Sequence, residues 1–330
     1  MGHKRAFFPA AGLVVLTPLV AEFLPGYISL DRIAGAIVLA PMYGGGALLI
    51  REVTRRMGRG WWTILLLALA YGLVEEGLAT QSLFNPDYAG LALHEPAYVA
   101  GVQLGGWWTV FVLLLHVVWS IAVPIALVET LTPDRRTTPW LGNAGLVITG
   151  LLFVLGAGVM SAFTLADDPF VASPAQFAGA GIAVLVVIFL AFAFGHRLEV
   201  RAVDGRPAPS AWSVGAVSLV ASSLVAGSAF AVTGGSNDHL GWILVGGYLV
   251  LSVAVIAAVR YWSASPGWAA GQRLALAGGA LLTYAWNAFP ETPPELTDPG
   301  LDLVGNLLFA AGALALLALA IRRVVGSAGP

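Results

Sequence analysis

The sequence has no cysteine among its 330 residues, one lysine against fifteen arginines, and only 10% charged residues. Without cysteine there can be no disulfides, thiolate metal sites or cysteine nucleophiles. The shortage of charge excludes a water-soluble fold. A soluble domain carries about 25% charged residues, and this chain has too few to cover a water-facing surface. A net charge of −2 leaves no basic surplus for nucleic acid. There is no phosphate-binding loop, no His-Glu-x-x-His zinc pair and no Gly-x-Gly-Asp aspartate motif. A single histidine deep inside a hydrophobic run is too few for a typical zinc site, so neither metal nor cofactor is expected. The preference for arginine over lysine is a coding bias that fits a GC-rich prokaryotic genome.

Hydrophobic residues make up 58% of the chain, and mean hydropathy is +0.84. They fall in runs long enough to cross a bilayer, which takes about 20 apolar residues each. Ten spans can be drawn, at 6–24, 32–50, 61–80, 107–131, 140–165, 175–195, 211–233, 239–259, 270–289 and 301–321. The run after Lys4 and Arg5 is too long for a signal peptide and lacks a small-residue cleavage site, so it reads as the first helix. The expected fold is a single all-α domain over 1–330, a polytopic integral membrane bundle whose first partner is the lipid bilayer.

The basic residues set the orientation. Arg51, Arg55, Arg56 and Arg59 share one loop, Arg135 and Arg136 another, Arg197, Arg201 and Arg206 a third, and Arg260 and Arg273 a fourth. Lys4 and Arg5 open the chain, and Arg322 and Arg323 close it. With ten spans all of these fall on one side and only Arg32 on the other, so both ends are expected in the cytoplasm of a multi-pass plasma-membrane protein. An odd number of helices would scramble the pattern. The opposite loops hold Asp87, Glu95, Asp167, Asp168, Asp238, Glu291, Glu295, Asp298 and Asp302. The longest, 81–106, is then extracytoplasmic, and 196–210 is a short basic connector inside. Every tryptophan but one lies near a span end, as interfacial anchors do; Trp119 alone is mid-span. Pro41 and Pro124 should kink their helices, and Gly44 to Gly46 and Gly278 with Gly279 should allow close helix contact.

Ionisable groups inside a membrane are costly and mark function. The third span holds Glu75 and Glu76, about a turn and a half from its outer end. The fourth holds His116, about two and a half turns from the same side. The two spans are consecutive and antiparallel, so the three residues should meet at similar depth. Adjacent residues point about 100° apart on a helix, so one glutamate is expected to face His116 and the other to be held by a neighbouring helix. Two carboxylates this close in a poor solvent do not both ionise easily, and a carboxylate poised beside an imidazole is a general-base pair. Trp119 and Ser120 follow His116 by three and four residues and are expected on its face, Trp119 as a pocket wall. Asn287 and Asn306, near the outer ends of their spans, are candidates to complete a substrate-binding site. Glu129 should pair in solvent with Arg135 and Arg136, and Glu22 should be similarly solvated. Gln81 to Tyr88 should turn and cap the third span.

Glu75-Glu76 followed by His116 on the next helix resembles the CPBP family of CAAX-protease-like and bacteriocin-processing intramembrane glutamic proteases, over about 60 residues. The resemblance implies that Glu75 and Glu76 are the glutamate pair, one of them activating water, and that His116 is the histidine of the second motif. Thr80 stands where the family carries arginine, Phe111 precedes His116 by five residues where the family has four, and no His-x-x-x-Asn follows. The expected function is therefore an intramembrane glutamic endopeptidase, or an inactive relative, acting on a membrane-embedded peptide. The alternatives are a proton-coupled transporter of a small molecule and a non-catalytic accessory subunit.

Overall fold

The computed structural model describes residues 2–199, 207–232, 238–293 and 298–326, with side chains from Phe8 onward. Arg201, Arg206, Glu295 and the side chains of Lys4 and Arg5, which carry part of the charge bias, lie outside the described residues.

Helix α1 runs Gly2–Pro18 and continues as a π-helical turn, Leu19–Phe23. It is followed by α2 (Gly35–Arg56), α3 (Trp61–Ala79), α4 (Gly106–Leu131), α5 (Asn143–Asp167), α6 (Pro174–Leu198), α7 (Ala211–Ala229) and α8 (Asp238–Ser263). Helices α9 (Ala270–Asn287) and α10 (Pro299–Gly326) complete the bundle. Among the described residues, eight helices, α2 to α8 and α10, are long and apolar enough to cross a membrane. The apolar part of α1, Phe8–Phe23, is shorter. The 18 residues of α9 are less apolar because protein encloses them: Ala277 to Leu281 and Thr283 to Ala285 are buried.

Burial separates a centre from a periphery. The most apolar windows of α2, α3 and α4 are each 61% buried, against 6% to 22% for α5, α6, α7, α8 and α10. Outer helices such as α5 present Ile148, Leu151, Val154 and Leu155 outward. Apolar faces of that extent need lipid, not water. Helix α4 joins two apolar clusters. Its row Trp107, Phe111, Leu115, Trp119, Val123, Leu127 repeats every four residues and packs with α9 residues such as Leu281 and Tyr284. Ile121, Ile125 and Val128 belong to the other cluster, with Tyr43, Leu48, Ile64 and Tyr71 of α2 and α3.

Small residues let the helices touch. A Cβ on Gly279 would come within 2.7 Å of the Leu219 backbone nitrogen, so only glycine lets α9 pack this closely on α7. Gly26 takes φ +82 as the chain leaves α1, and a Cβ there would lie 2.9 Å from Ala288 Cα. Ser173 caps α6 through a reciprocal bond with Gln176, and Pro174 follows at its first position.

Between α3 and α4 the chain forms a cap. Tyr98–Val99 (β1) pairs antiparallel with Leu104–Gly105 (β2), Tyr98 opposite Gly105. The cap is anchored on several sides. Gln81 Oε1 accepts from Ala172 N at 2.7 Å, Asn85 bonds Asp168, and Asp238 accepts from Ala97 N at 3.0 Å.

At the opposite end, α2 extends past the span drawn from sequence, and Arg51, Glu52 and Arg55 are buried in it rather than placed in a loop. Glu129 is not a solvated partner of Arg135 and Arg136. It is buried and takes Arg51 Nε at 3.1 Å, Arg55 Nε at 2.9 Å and Arg55 Nη2 at 2.7 Å. Arg51 lies over the Trp140 ring at 3.4 Å, and its Nη2 donates to the carbonyls of Arg135, Arg136 and Thr138. Packing drives this. The guanidinium ties the α4–α5 connection to α2 by satisfying carbonyls that have no helical partner.

Candidate active site

Three π-helical turns occur in the central helices, and each carries polar residues: Leu19–Phe23 with Glu22, Glu75–Ala79 with both glutamates, and His116–Ala122 with His116 and Ser120. A π turn bonds i to i+5 and widens the helix, a distortion that concentrates at functional sites. Its cost here is balanced by the contacts it permits.

His116 lies between the two carboxylates. Its Nε2 is 2.7 Å from Glu76 Oε1, and its Nδ1 is 3.2 Å from Glu75 Oε2 and 3.0 Å from Ser120 Oγ. All are buried. The expectation that only one glutamate would face the imidazole is therefore corrected. A ring has nitrogens on two edges, and the widened turn lets adjacent glutamates reach both.

The two carboxylates differ in what holds them. Glu76 is saturated: besides His116, its Oε2 accepts from Thr80 Oγ1 at 3.1 Å and from Ser82 Oγ. Ser82 in turn accepts from Trp108 Nε1 at 2.9 Å. Thr80, at the position where the resembling family has arginine, serves as a neutral donor to this carboxylate. Glu75 Oε2 has no donor of normal hydrogen-bond geometry among the described residues. The buried hydroxyl of Tyr71, one turn before Glu75, neighbours that carboxylate, and its ring centroid lies 5.8 Å from that of His116. A neutral imidazole would turn a lone pair toward one of these oxygens. The second nitrogen then needs a donor opposite it, which the Ser120 hydroxyl or a protonated Glu75 can supply at Nδ1.

A third carboxylate adjoins the group. Tyr43 donates to Glu22 Oε1 at 2.6 Å and places its ring 6.3 Å from His116. Glu22 is half-buried and within electrostatic reach of His116 and Glu76, so it is not the isolated solvated residue expected. The signal for Tyr71 was its spacing of four before Glu75. Ser82 and Tyr43 left none, because a cap and a separate helix bring them in.

The candidate binding residues separate. Ser120 meets His116 as expected. Trp119 turns away: its ring stacks on Tyr284 at 4.3 Å and 2°, and its Nε1 donates to Ala280 O at 2.7 Å. It belongs to the four-residue row facing α9, and the π turn at 116–122 keeps position i+4, not i+3, below His116. Asn287 and Asn306 also serve elsewhere. Asn287 Nδ2 donates to Pro25 O at 3.3 Å, and Asn306 Nδ2 donates to Ala288 O at 2.9 Å and Asp302 Oδ2 at 3.2 Å. Both amides satisfy groups near helix ends.

Glu75, Glu76 and His116 each offer a ligand atom, all within 4.8 Å of one another. That spacing could hold a metal ion, and without one the same atoms make the direct Glu76–His116 contact.

Over residues 13–320 the chain matches the model of a family described as "Uncharacterized membrane protein family". The chain belongs to that family. The matched span takes in Glu22, Tyr43, Tyr71, the triad and the cap. No curated protein and no solved structure matches the chain.

Proposed function

We propose that this family member is an intramembrane hydrolase of the glutamic-peptidase type, as the resemblance to the CPBP family implies. The supporting observation is the asymmetry of the two glutamates around one buried histidine. Glu76 is held by His116, Thr80 and Ser82, whereas Glu75 Oε2 makes a longer contact, 3.2 Å, to His116 Nδ1. In this reading Glu75 takes a proton from water as the water oxygen adds to the scissile carbonyl carbon. The Tyr71 hydroxyl donates to the oxyanion that forms, and the charge of protonated His116, held between the carboxylates, stabilises it. The C–N bond then breaks and the proton passes to the leaving amine, which balances the addition of one water. The substrate is a peptide bond within the membrane, reached when the cap moves.

A proton-coupled carrier is the second reading, favoured by the run of buried protonatable groups Glu22, Tyr43, His116, Glu76 and Glu75. In either case we propose ten crossings with both ends in the cytoplasm of a prokaryotic plasma membrane, on the strength of the charge bias.

One experiment separates the readings. Purified protein in liposomes is offered membrane-embedded peptides, and Glu75→Gln, Glu76→Gln and His116→Ala are compared. The hydrolase predicts losses of at least about a hundredfold in each. Wild-type protein that cuts nothing, alongside pH-dependent flux abolished by the same glutamine variants, would reject the hydrolase for the carrier.

A further inference from the structure

A second site lies at the other end of the bundle, where α3 begins, α4 ends, α9 begins and α10 ends. A cavity of about 40 Å³ opens there, with Glu129, Arg136 and Arg273 in its wall. By the same measure a water needs roughly 10–15 Å³, so the space suits a group the size of phosphate.

The charges at this site do not cancel. Among the described residues, the buried carboxylates beside Arg51, Arg55, Arg136 and Arg273 are Glu52 and Glu129. Glu129 already takes three bonds from Arg51 and Arg55, and Glu52 pairs with Arg51 at 2.6 Å. Both carboxylates are thus neutralised by Arg51 and Arg55, leaving Arg136 and Arg273 as two surplus cations. These two are half-buried, line the same cavity and lie within electrostatic reach of each other. Among the described residues no hydrogen bond or ion pair holds either guanidinium. Nearby, Arg322 and Arg323 are exposed at the end of α10 and add to the positive field, which the exposed Asp134 and Glu199 partly oppose. The cavity also borders Ala270, the first residue of α9, so the positive end of a helix adjoins it. The rest of the wall is mostly apolar, from Trp61, Ala126, Pro133 and Val324, and the Thr130 hydroxyl there is bonded back to Ala126 O at 2.7 Å.

We propose that this cavity binds the phosphate of an anionic phospholipid headgroup. Two arginines in a pocket between helix ends at the basic face of a membrane protein supply the charge and the fork geometry that phosphate needs. The apolar wall suits the glycerol and upper acyl region that accompany a headgroup and are absent from free phosphate.

The test uses purified full-length protein in detergent. Its thermal midpoint and its retained lipid, read by native mass spectrometry, are followed with phosphatidylglycerol, phosphatidylcholine or inorganic phosphate added. Phosphatidylglycerol should raise the midpoint and phosphatidylcholine should not. R136Q/R273Q should bind phosphatidylglycerol about thirtyfold more weakly, as expected for losing two arginines at a membrane surface, with R136K/R273K largely restoring it. Wild-type affinity in R136Q/R273Q overturns the proposal, as does stabilisation by inorganic phosphate at concentrations matching the lipid. If R136Q/R273Q does not survive extraction, the wild type decides: equal retention of the two lipids overturns it.

Discussion

The Nε2 of His116 lies 2.7 Å from Glu76 Oε1, across 40 residues of sequence and between two helices that are both π-distorted at the point of contact. That bond fixes the imidazole edge-on to α3 and leaves Nδ1 facing Glu75 and Ser120. Thr80, Ser82 and Trp108 brace Glu76 from the cap side, so the orientation of the histidine depends on the cap staying seated.

Tyr71→Phe removes the buried Tyr71 hydroxyl beside Glu75, on a ring packed against His116. Its ring packing against Gly46 and Phe153 should survive. If Tyr71 supplies the oxyanion donor, the turnover rate should fall by about a hundredfold, with little change in thermal midpoint. A large drop in stability with unchanged turnover would assign Tyr71 to packing instead.

Glu129→Gln should be strongly destabilising. The change leaves Arg51 and Arg55 without their shared carboxylate, and breaking a buried pair costs about 3–5 kcal/mol. Arg51 and Glu129 side chains are 0% and 2% exposed, so solvent screening gives little relief. Thermal unfolding in detergent measures the loss, and Glu129→Asp should recover part of it. An unchanged midpoint would mean that the network contributes no stability.

The cap should loosen in acid. His94 donates to the Ser82 carbonyl at 3.3 Å. Burial holds its imidazole below the ordinary value, and the Ser82 and Leu83 carbonyls oppose that shift only partly. A histidine lowered in the folded state takes up more protons when released. The closed cap therefore loses stability as pH falls through the free imidazole range, and keeps it above. Hydrogen-exchange protection across 81–106, taken relative to the intrinsic rate at each pH, should fall below about pH 6, and His94→Gln should flatten the dependence. Protection factors that are equal at pH 5 and pH 8 would rule the switch out.

Topology can be tested directly, since the cysteine-free chain accepts single labels without background. A cysteine at Ala89 should react with an impermeant reagent added outside intact cells, and one within 201–206 only after the membrane is opened. Outside labelling of 201–206 would break the ten-span, cytoplasmic-ended arrangement.

Composition, hydropathy and depth within the spans carried the membrane class, the approximate position of the helices and the meeting of Glu75, Glu76 and His116. Hydropathy and depth within a span are properties of single segments, and segments are what a sequence displays. The tertiary structure decided which faces meet. Trp119 reads from its spacing as a neighbour of His116, yet it belongs to a row repeating every four residues that only α9 could claim. Glu129 reads as a surface residue until α2 brings two buried arginines against it. Tyr43 and Glu22 come from helices whose place beside the triad no local pattern records. The π turns decided the rest. They shift side-chain direction by a fraction of a turn, and they form because the polar contacts they permit, between groups far apart in sequence, outweigh their local cost.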